Sequence, residues 1–320
     1  SKPVIPADFI LFDEAQDASG VMLEVIRSQQ AQQIWVGDRY QAIYGWRGAV
    51  NAMKLIKTDH TAQITQSFRF GPEIAELANT ILGKMLGSSM TLRGFDSVKS
   101  VVGRCDRPDA VLCRTNAGVV EELMRQLEEG NTRVYVEGGV QQMIKLFEGV
   151  DDLREGSGSS HPELFVFDSY ADLVEYVESG YGADLKVIVD LVEEYTTKTL
   201  LSVLRKYAHI NRDNCNLVIS TAHKAKGLEW PKVRLANDFP IPDDDDALPD
   251  EEVYLLYVAV TRAQLVLDVS ESEAVETILD MRLMYEKAVD QKLKLNSGAG
   301  EKEVNARLKK ELGRATKVDR

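Results

Sequence analysis

Two carboxylates, Asp13 and Glu14, stand side by side directly after the apolar run Phe9-Ile-Leu-Phe12. Adjacent acids at a strand tip can divide labour. One can hold Mg²⁺ through water while the other takes a proton from an attacking water. The same run, Asp13-Glu-Ala-Gln-Asp17, also suits a helix N-cap, and Asp17 is the candidate for that plainer role. A second constellation is Val36-Gly-Asp-Arg-Tyr-Gln-Ala-Ile-Tyr-Gly-Trp-Arg-Gly48. Gln41 lies in a loop leaving an apolar strand, where its amide can sense a phosphate or a water. Tyr44, Trp46 and Arg47 place aromatic faces beside a cation, and base stacking on such rings contributes about 1–3 kcal/mol per base without sequence preference. Large aromatics more often belong to a core. Here Gly45, Gly48 and Arg47 surround them, which argues for a surface loop.

The elements that must carry these groups can be read from periodicity. Residues 9–12 and 34–36 read as buried parallel strands, with a helix over 18–29 whose apolar positions are Val21, Met22, Val25 and Ile26. Residues 72–86 predict a helix with Pro72 in its first turn and Glu73 near the positive end of its dipole. Strands are expected at 110–113, 133–136, 217–220, 233–236 and 265–267, a helix through 119–127, and a helix start after the run 255–260. Residues 141–210 change character, with acidic helical patterns broken by the linker-like Glu155-Gly-Ser-Gly-Ser-Ser160. From Glu271 the chain carries 11 basic and 10 acidic residues and is expected to be helical, then frayed, with a break at 296–300. Strands alternating with helices give an α/β fold with parallel sheets, in which 141–210 is an insertion.

Composition narrows the class. The chain has 320 residues, 44% of them hydrophobic and 28% charged, which is globular. No apolar run reaches the roughly 18 residues that span a bilayer. The cysteines Cys105, Cys113 and Cys215 are scattered and odd in number, so a disulfide framework is not expected, and a reducing cytoplasmic or nuclear setting fits. The net charge of −13 argues at first sight against a nucleic-acid partner, but its distribution matters more. Residues 141–200 carry −9 and residues 238–252 carry −8, so the rest of the chain is +4; residues 201–237 alone reach +5. A polyanion can still dock away from the acid.

Five stretches in order resemble motifs II to VI of superfamily 1 DNA helicases of the UvrD/Rep/PcrA group. They are Phe12-Asp-Glu-Ala-Gln-Asp17, Gly37-Asp-Arg-Tyr-Gln-Ala-Ile-Tyr-Gly-Trp-Arg-Gly-Ala49, Ser67-Phe-Arg-Phe-Gly71, Thr221-Ala-His-Lys-Ala-Lys-Gly-Leu-Glu-Trp230 and Tyr257-Val-Ala-Val-Thr-Arg-Ala263. They cover the chain from about residue 8 to about residue 270, and their detail is most similar to the F-box DNA helicase branch, with no F-box here.

The resemblance implies RecA-like P-loop NTPase motor domains, a partial 1A plus a 2A, with a small mostly helical 2B-like insertion. It implies ATP and Mg²⁺ as cofactors, with Asp13 on the metal, Glu14 as the base and Gln41 coupling the γ-phosphate to a DNA loop. Arg69 and Arg262 would face the γ-phosphate from the second motor domain, Glu229 would bind the ribose, and Gly227 would permit a tight turn that no side chain should crowd. Tyr44, Trp46, Arg47, Thr221 and His223 are implied contacts to single-stranded DNA. Arg114, Thr115 and Asn116 are plausible phosphate contacts, although a helix N-cap explains Thr115 or Asn116 equally well. The implied domains are 1–65 (1A), 66–140 with 211–270 (2A), 141–210 (reduced 2B) and 271–320 (tail).

One motif is missing. G-x-x-x-x-G-K-[ST], whose backbone amides and lysine cradle a triphosphate, does not occur, and Gly83-Lys84 lies inside the helix at 72–86. The expectation is therefore the C-terminal portion of a 3′→5′ helicase acting on single-stranded DNA and duplex junctions in repair or recombination. It would partner with a missing N-terminal segment and hydrolyse little ATP alone. The alternative is a pseudo-helicase that binds DNA or protein without hydrolysis. A helicase–nuclease is disfavoured, because no metal-carboxylate nuclease motif follows Ala263.

Overall fold

Strand, helix and strand follow one another from the start. A computed structural model describes residues 3–242 and 247–283; the acidic run 243–246 and the tail beyond 283, with its break at 296–300, lie outside the described residues. β1 (Phe9–Phe12) pairs in parallel with β2 (Gln32–Trp35) through the crossover helix α1 (Gly20–Arg27). The short α2 (Ala52–Leu55) closes this first lobe over a small core of Ala15, Ala18, Leu23 and Ala52.

β1 and β2 are parallel strands but are not buried. Phe9 is 61% exposed and Leu11 60%, and along α1 Val21 and Met22 face solvent while Leu23 and Ile26 turn inward. A parallel strand is apolar on both faces when both faces are covered. This sheet has two strands, and its buried core is three alanines and Leu23. Hydrophobic periodicity reported the apolarity correctly and the coverage wrongly.

The second lobe is a six-stranded parallel sheet. α3 (Pro72–Leu86) leads to β3 (Val101–Val102) and β4 (Ala110–Cys113), then α4 (Asn116–Glu128) and β5 (Val134–Val136). Four helices follow: α5 (Gln141–Arg154), α6 (Tyr170–Glu178), α7 (Ala183–Tyr195) and α8 (Thr197–Tyr207). The sheet resumes with β6 (Leu217–Thr221), the short α9 (Ala222–Ala225), β7 (Trp230–Leu235), α10 (Asp250–Val260) and β8 (Ala263–Asp268). A last helix occupies 273–283. The strand order is β3-β8-β7-β4-β6-β5, every pair parallel.

Successive strand residues point to opposite faces, and β4 shows the result. Ala110 and Leu112 enter a core with α3, α9 and α10, whereas Val111 and Cys113 enter a second core with α4. The helices of 141–207 belong to that second core through residues such as Phe147, Val192 and Leu204. They are packed onto the sheet rather than standing off it.

The run 255–260, read as lying ahead of a helix start, is itself helix. α10 begins at Asp250, with Asp250, Glu251 and Glu252 in a first turn that suits acids, and Val253 to Val260 are all buried. Both sides are covered, by α3 on one flank and by the first lobe's loop on the other, where Tyr40 and Ile43 join the same core.

Candidate functional site

The tip of β1 delivers Asp13 and Glu14 to the junction of the two lobes. Asp13 Oδ1 accepts from the Glu14 amide at 2.8 Å. Glu14 takes left-handed backbone angles (φ 51°), a conformation that costs a non-glycine residue about 1–3 kcal/mol and persists only where surroundings enforce it. Buried Gln16 enforces it: its amide nitrogen donates to Glu14 Oε2, and its oxygen accepts from the Asp38 amide at 3.2 Å. Asp17 is no helix cap. Ser19 caps α1, its Oγ accepting from the Met22 amide, and Asp17 instead receives Lys226 Nζ at 2.5 Å.

Lys226 comes from the second lobe, just past α9. Its ammonium also donates to the Gln41 carbonyl at 2.7 Å, stands 3.8 Å from Glu14 Oε2 and lies 5.1 Å over the Tyr44 ring. One buried cation thus touches the acidic tip, the Gln41 backbone and the aromatic loop. Burial raises the Asp17 carboxyl above its ordinary value, against the pull of Lys226.

Two guanidinium groups, Arg69 and Arg262, stand together in the second lobe. Arg69 Nε donates to Glu229 Oε2 at 2.5 Å and its Nη1 to the Thr261 carbonyl at 3.0 Å. That bond holds the Glu229 carboxyl below the usual range. Arg262 is 2% exposed, donating from Nε to the Val258 carbonyl at 2.8 Å and from Nη2 to Thr261 Oγ1 at 2.9 Å. Burial first, then the neighbouring Arg69 charge, pulls it down to about 10, while the charges of Tyr257, Glu229 and Glu14 oppose this. Glu14 thus stands at a seam between the lobes, 3.8 Å from Lys226, and its charge reaches Arg262, which lies beside Arg69 and Glu229. Gln41 joins the seam through Asp38, whose Oδ2 accepts from Gln41 Nε2 at 3.0 Å and from the Tyr257 hydroxyl at 3.1 Å.

Gly227 has φ 84°, and a Cβ there would meet nothing within 4 Å. The requirement is conformational, not the steric crowding that the sequence suggested.

The other end of the 36–48 loop opens into a cavity of about 840 Å³. Tyr44, Trp46, Arg47, Arg114, Thr115, Asn116, Thr221 and His223 all line it. Trp46 is 66% exposed, so it is a loop residue and not a core one. The Arg47 guanidinium lies 4.7 Å over the Trp46 ring and 5.3 Å over Tyr44. The His223 ring stands 6.4 Å from both aromatic rings, and the Tyr44 hydroxyl donates to the His223 carbonyl at 3.2 Å. Burial lowers the His223 pKa, with Arg114 adding to the effect. Thr115 does cap α4, its Oγ1 accepting from the Gly118 amide, and it also donates to Asp238. Arg114 is paired with Glu252 through Nε and Nη2.

A divalent cation fits the acidic tip only with outside ligands. Among the described residues no group of three or more His, Cys, Asp or Glu side chains could hold a metal. Asp13 is exposed and keeps one oxygen beyond its bond to the Glu14 amide. Mg²⁺ commonly takes one or two carboxylates together with waters and phosphate oxygens, and Asp13 suits that donor set.

Several residues escaped the sequence reading: Gln16, Asp38, Lys226 and Tyr257 at the seam, Glu252 on the cavity lining and Asp238 beneath Arg114 and Thr115. Gln16 and Lys226 lie inside stretches already singled out, yet an isolated glutamine or lysine ordinarily reads as solvated surface.

Residues 6–61 match the UvrD/REP helicase N-terminal domain, and residues 140–274 match the UvrD-like helicase C-terminal domain. The chain belongs to the UvrD-like helicase family. Its parallel sheet, with helices on both faces, is the RecA-type architecture of UvrD-like helicase domains. The chain is 31% identical over 302 residues to F-box DNA helicase 1 of Gallus gallus, covering 85% of this chain and 30% of that protein. It is 30% identical over 291 residues to F-box DNA helicase protein 1 of Schizosaccharomyces pombe, covering 80% and 33%. A stretch of 63 residues is 49% identical to ATP-dependent DNA helicase srs2 of Schizosaccharomyces pombe, 18% of this chain and 7% of that protein. The UvrD-like chain spans about a third of the length of the two F-box DNA helicases it matches. Among its described residues no helix is long and apolar enough to cross a membrane, and Cys105, Cys113 and Cys215 are free thiols.

Proposed function

We propose that the full-length protein is an ATP-dependent DNA helicase that translocates 3′ to 5′ on single-stranded DNA and acts at duplex junctions in DNA repair or recombination. In this reading the phosphate-gripping loop is supplied by sequence outside these 320 residues. The observation that carries the proposal is the 36–48 loop. One end is bonded into the seam through Asp38 and Gln41, and the other presents Tyr44, Trp46 and Arg47 to the cavity. A motor needs its fuel site and its track connected by a short, stiff segment, and this loop is one.

Bound ATP with Mg²⁺ would supply the transferable phosphoryl group. Asp13 would hold the metal, and Glu14 would take the proton of the attacking water. Gln16 and Lys226 hold Glu14 in position, which limits the reorganisation needed when the proton moves. Arg69 and Arg262 are two mutually repelling cations, one of them fully desolvated. An anion placed between them relieves both penalties, so they favour negative charge at the seam. Each must exchange a protein acceptor for a phosphate oxygen, which couples hydrolysis to lobe closure. Gly227 and Glu229 would shape the ribose side of that site.

In the cavity, bases would stack on Trp46 while Arg47, Thr221, His223 and the Arg114–Asn116 turn meet the backbone. Trp46→Ala in this chain is expected to weaken single-stranded DNA binding by about 1–3 kcal/mol, the worth of one stacked base. Fluorescence anisotropy with a labelled oligonucleotide measures it. Unaltered affinity would remove Trp46 from the DNA path and the cavity from the proposal.

A further inference from the structure

The first turn of α10 holds three consecutive carboxylates, and each meets something different. Asp250 Oδ2 accepts from Lys54 Nζ of the first lobe at 3.0 Å. Glu251 abuts Gly45, where a Cβ would fall 2.0 Å from its Oε1. Glu252 lines the cavity, and its two oxygens accept from Arg114 Nη2 at 2.5 Å and Nε at 3.1 Å. Beyond it the helix is buried from Val253 to Val260, and Tyr257 bonds Asp38 at the seam.

A guanidinium that donates two N–H groups to a planar carboxylate offers the same fork to a phosphate. The Arg114 and Glu252 side chains are 25% and 20% exposed, so the pair is partly desolvated yet reachable from the cavity that both residues line. Both charges are felt at the His223 ring, Arg114 lowering its pKa and Glu252 raising it. That ring is 6.4 Å from the Tyr44 ring and 6.4 Å from the Trp46 ring, which sets the ion pair on the same cavity wall as the aromatic loop. The turn that carries Arg114 is fixed independently, because Asp238 accepts from the Arg114 amide at 2.7 Å and from the Thr115 amide at 2.8 Å. The guanidinium can therefore change partners without the turn moving.

Resting on the reading of this cavity as a single-strand path, we propose that Glu252 is an internal anion that competes with a backbone phosphate for Arg114 and so restrains strand binding. A phosphate that takes the guanidinium expels the carboxylate, which must then recruit a cation from solution. The exchange releases little net counterion, and the contact adds affinity only as far as phosphate outcompetes carboxylate. The displaced carboxylate belongs to the helix that also presents Tyr257 to the seam.

The test is single-stranded DNA binding by the full-length protein without nucleotide, measured against salt concentration for Glu252→Gln, Arg114→Gln and the double variant, with Trp46→Ala alongside. Glu252→Gln is expected to bind about tenfold more tightly at low salt, the scale of one charged hydrogen bond. Its log–log salt slope should steepen by about 0.7, because the phosphate contact then releases a counterion that no freed carboxylate takes up. In the Arg114→Gln background the same substitution should leave the slope unchanged, since no guanidinium remains to be contested. A slope that steepens equally in both backgrounds would reduce Glu252 to a repelling charge and overturn the competition. Weaker binding by Glu252→Gln would make the carboxylate a holder of Arg114 and overturn it too. If Trp46→Ala weakens binding while Glu252→Gln changes neither affinity nor slope, the competition alone fails, and a lowered melting temperature would then assign the pair to the scaffold. If neither variant affects binding, the cavity is not the DNA path and both readings fall.

Discussion

Arg262→Ala in the full-length protein is expected to lower DNA-stimulated ATP turnover about 10³-fold, the scale of removing an arginine that stabilises a transferring phosphoryl group. The side chain is 2% exposed and donates to Val258, Thr261 and, at 3.4 Å, Leu228. Truncation therefore also leaves acceptors unpaired, at about 1–3 kcal/mol of stability. Two measurements separate the effects. Single-turnover hydrolysis at a temperature well below unfolding reports the chemistry, and single-stranded DNA affinity, held by the separate cavity, should persist. Arg262→Lys should recover little, since an ammonium cannot span the same set of acceptors with a planar fork. Turnover near wild type in a folded Arg262→Ala protein would place this arginine in the scaffold alone.

Glu14→Gln is expected to reduce turnover by about 10²–10⁴-fold, the usual contribution of a positioned general base. The substitution keeps the side chain's size and the bond to Gln16 while removing the ability to take a proton. Nucleotide and DNA affinity should remain, because Asp13 and the cavity are untouched. Glu14→Gly would relax the left-handed backbone but leave the buried Gln16 amide without its acceptor, so it is not expected to raise stability. A stable, inactive Glu14→Gln protein that still binds nucleotide is the expected outcome; retained hydrolysis would pass the role of base to another group.

How much of this could be read beforehand depended on what each signal encodes. β4 and β6 were legible because both faces of the six-stranded sheet are covered, so an apolar run and a buried strand coincide. β1 has the same sequence character, but its two-stranded sheet leaves Phe9 and Leu11 exposed. Periodicity records what a residue is, not what the chain places over it. α10 was misread for a related reason: eight consecutive buried residues erase the helical period, because both flanks of the helix are covered. The acids at 250–252 were the available helix-start signal.

The candidate site divides along the same line. Asp13, Glu14 and Trp46 could be singled out from residue type and spacing, whereas Arg262 entered only through the resemblance of its motif. Lys226 could not be singled out, because its partners Asp17 and Gln41 are 209 and 185 residues away in sequence. The four helices of 141–207 showed apolar faces that needed burial, but nothing local specified that the sheet itself would bury them.

The central claim is that one loop joins a hydrolytic seam to a single-strand cavity. ATP turnover by the full-length protein with and without single-stranded DNA, repeated for Trp46→Ala, tests it most directly. The account predicts turnover strongly stimulated by DNA, with Trp46→Ala requiring a higher DNA concentration to reach the same stimulation. Turnover indifferent to DNA, or a Trp46→Ala protein stimulated at the same DNA concentration as wild type, would contradict it.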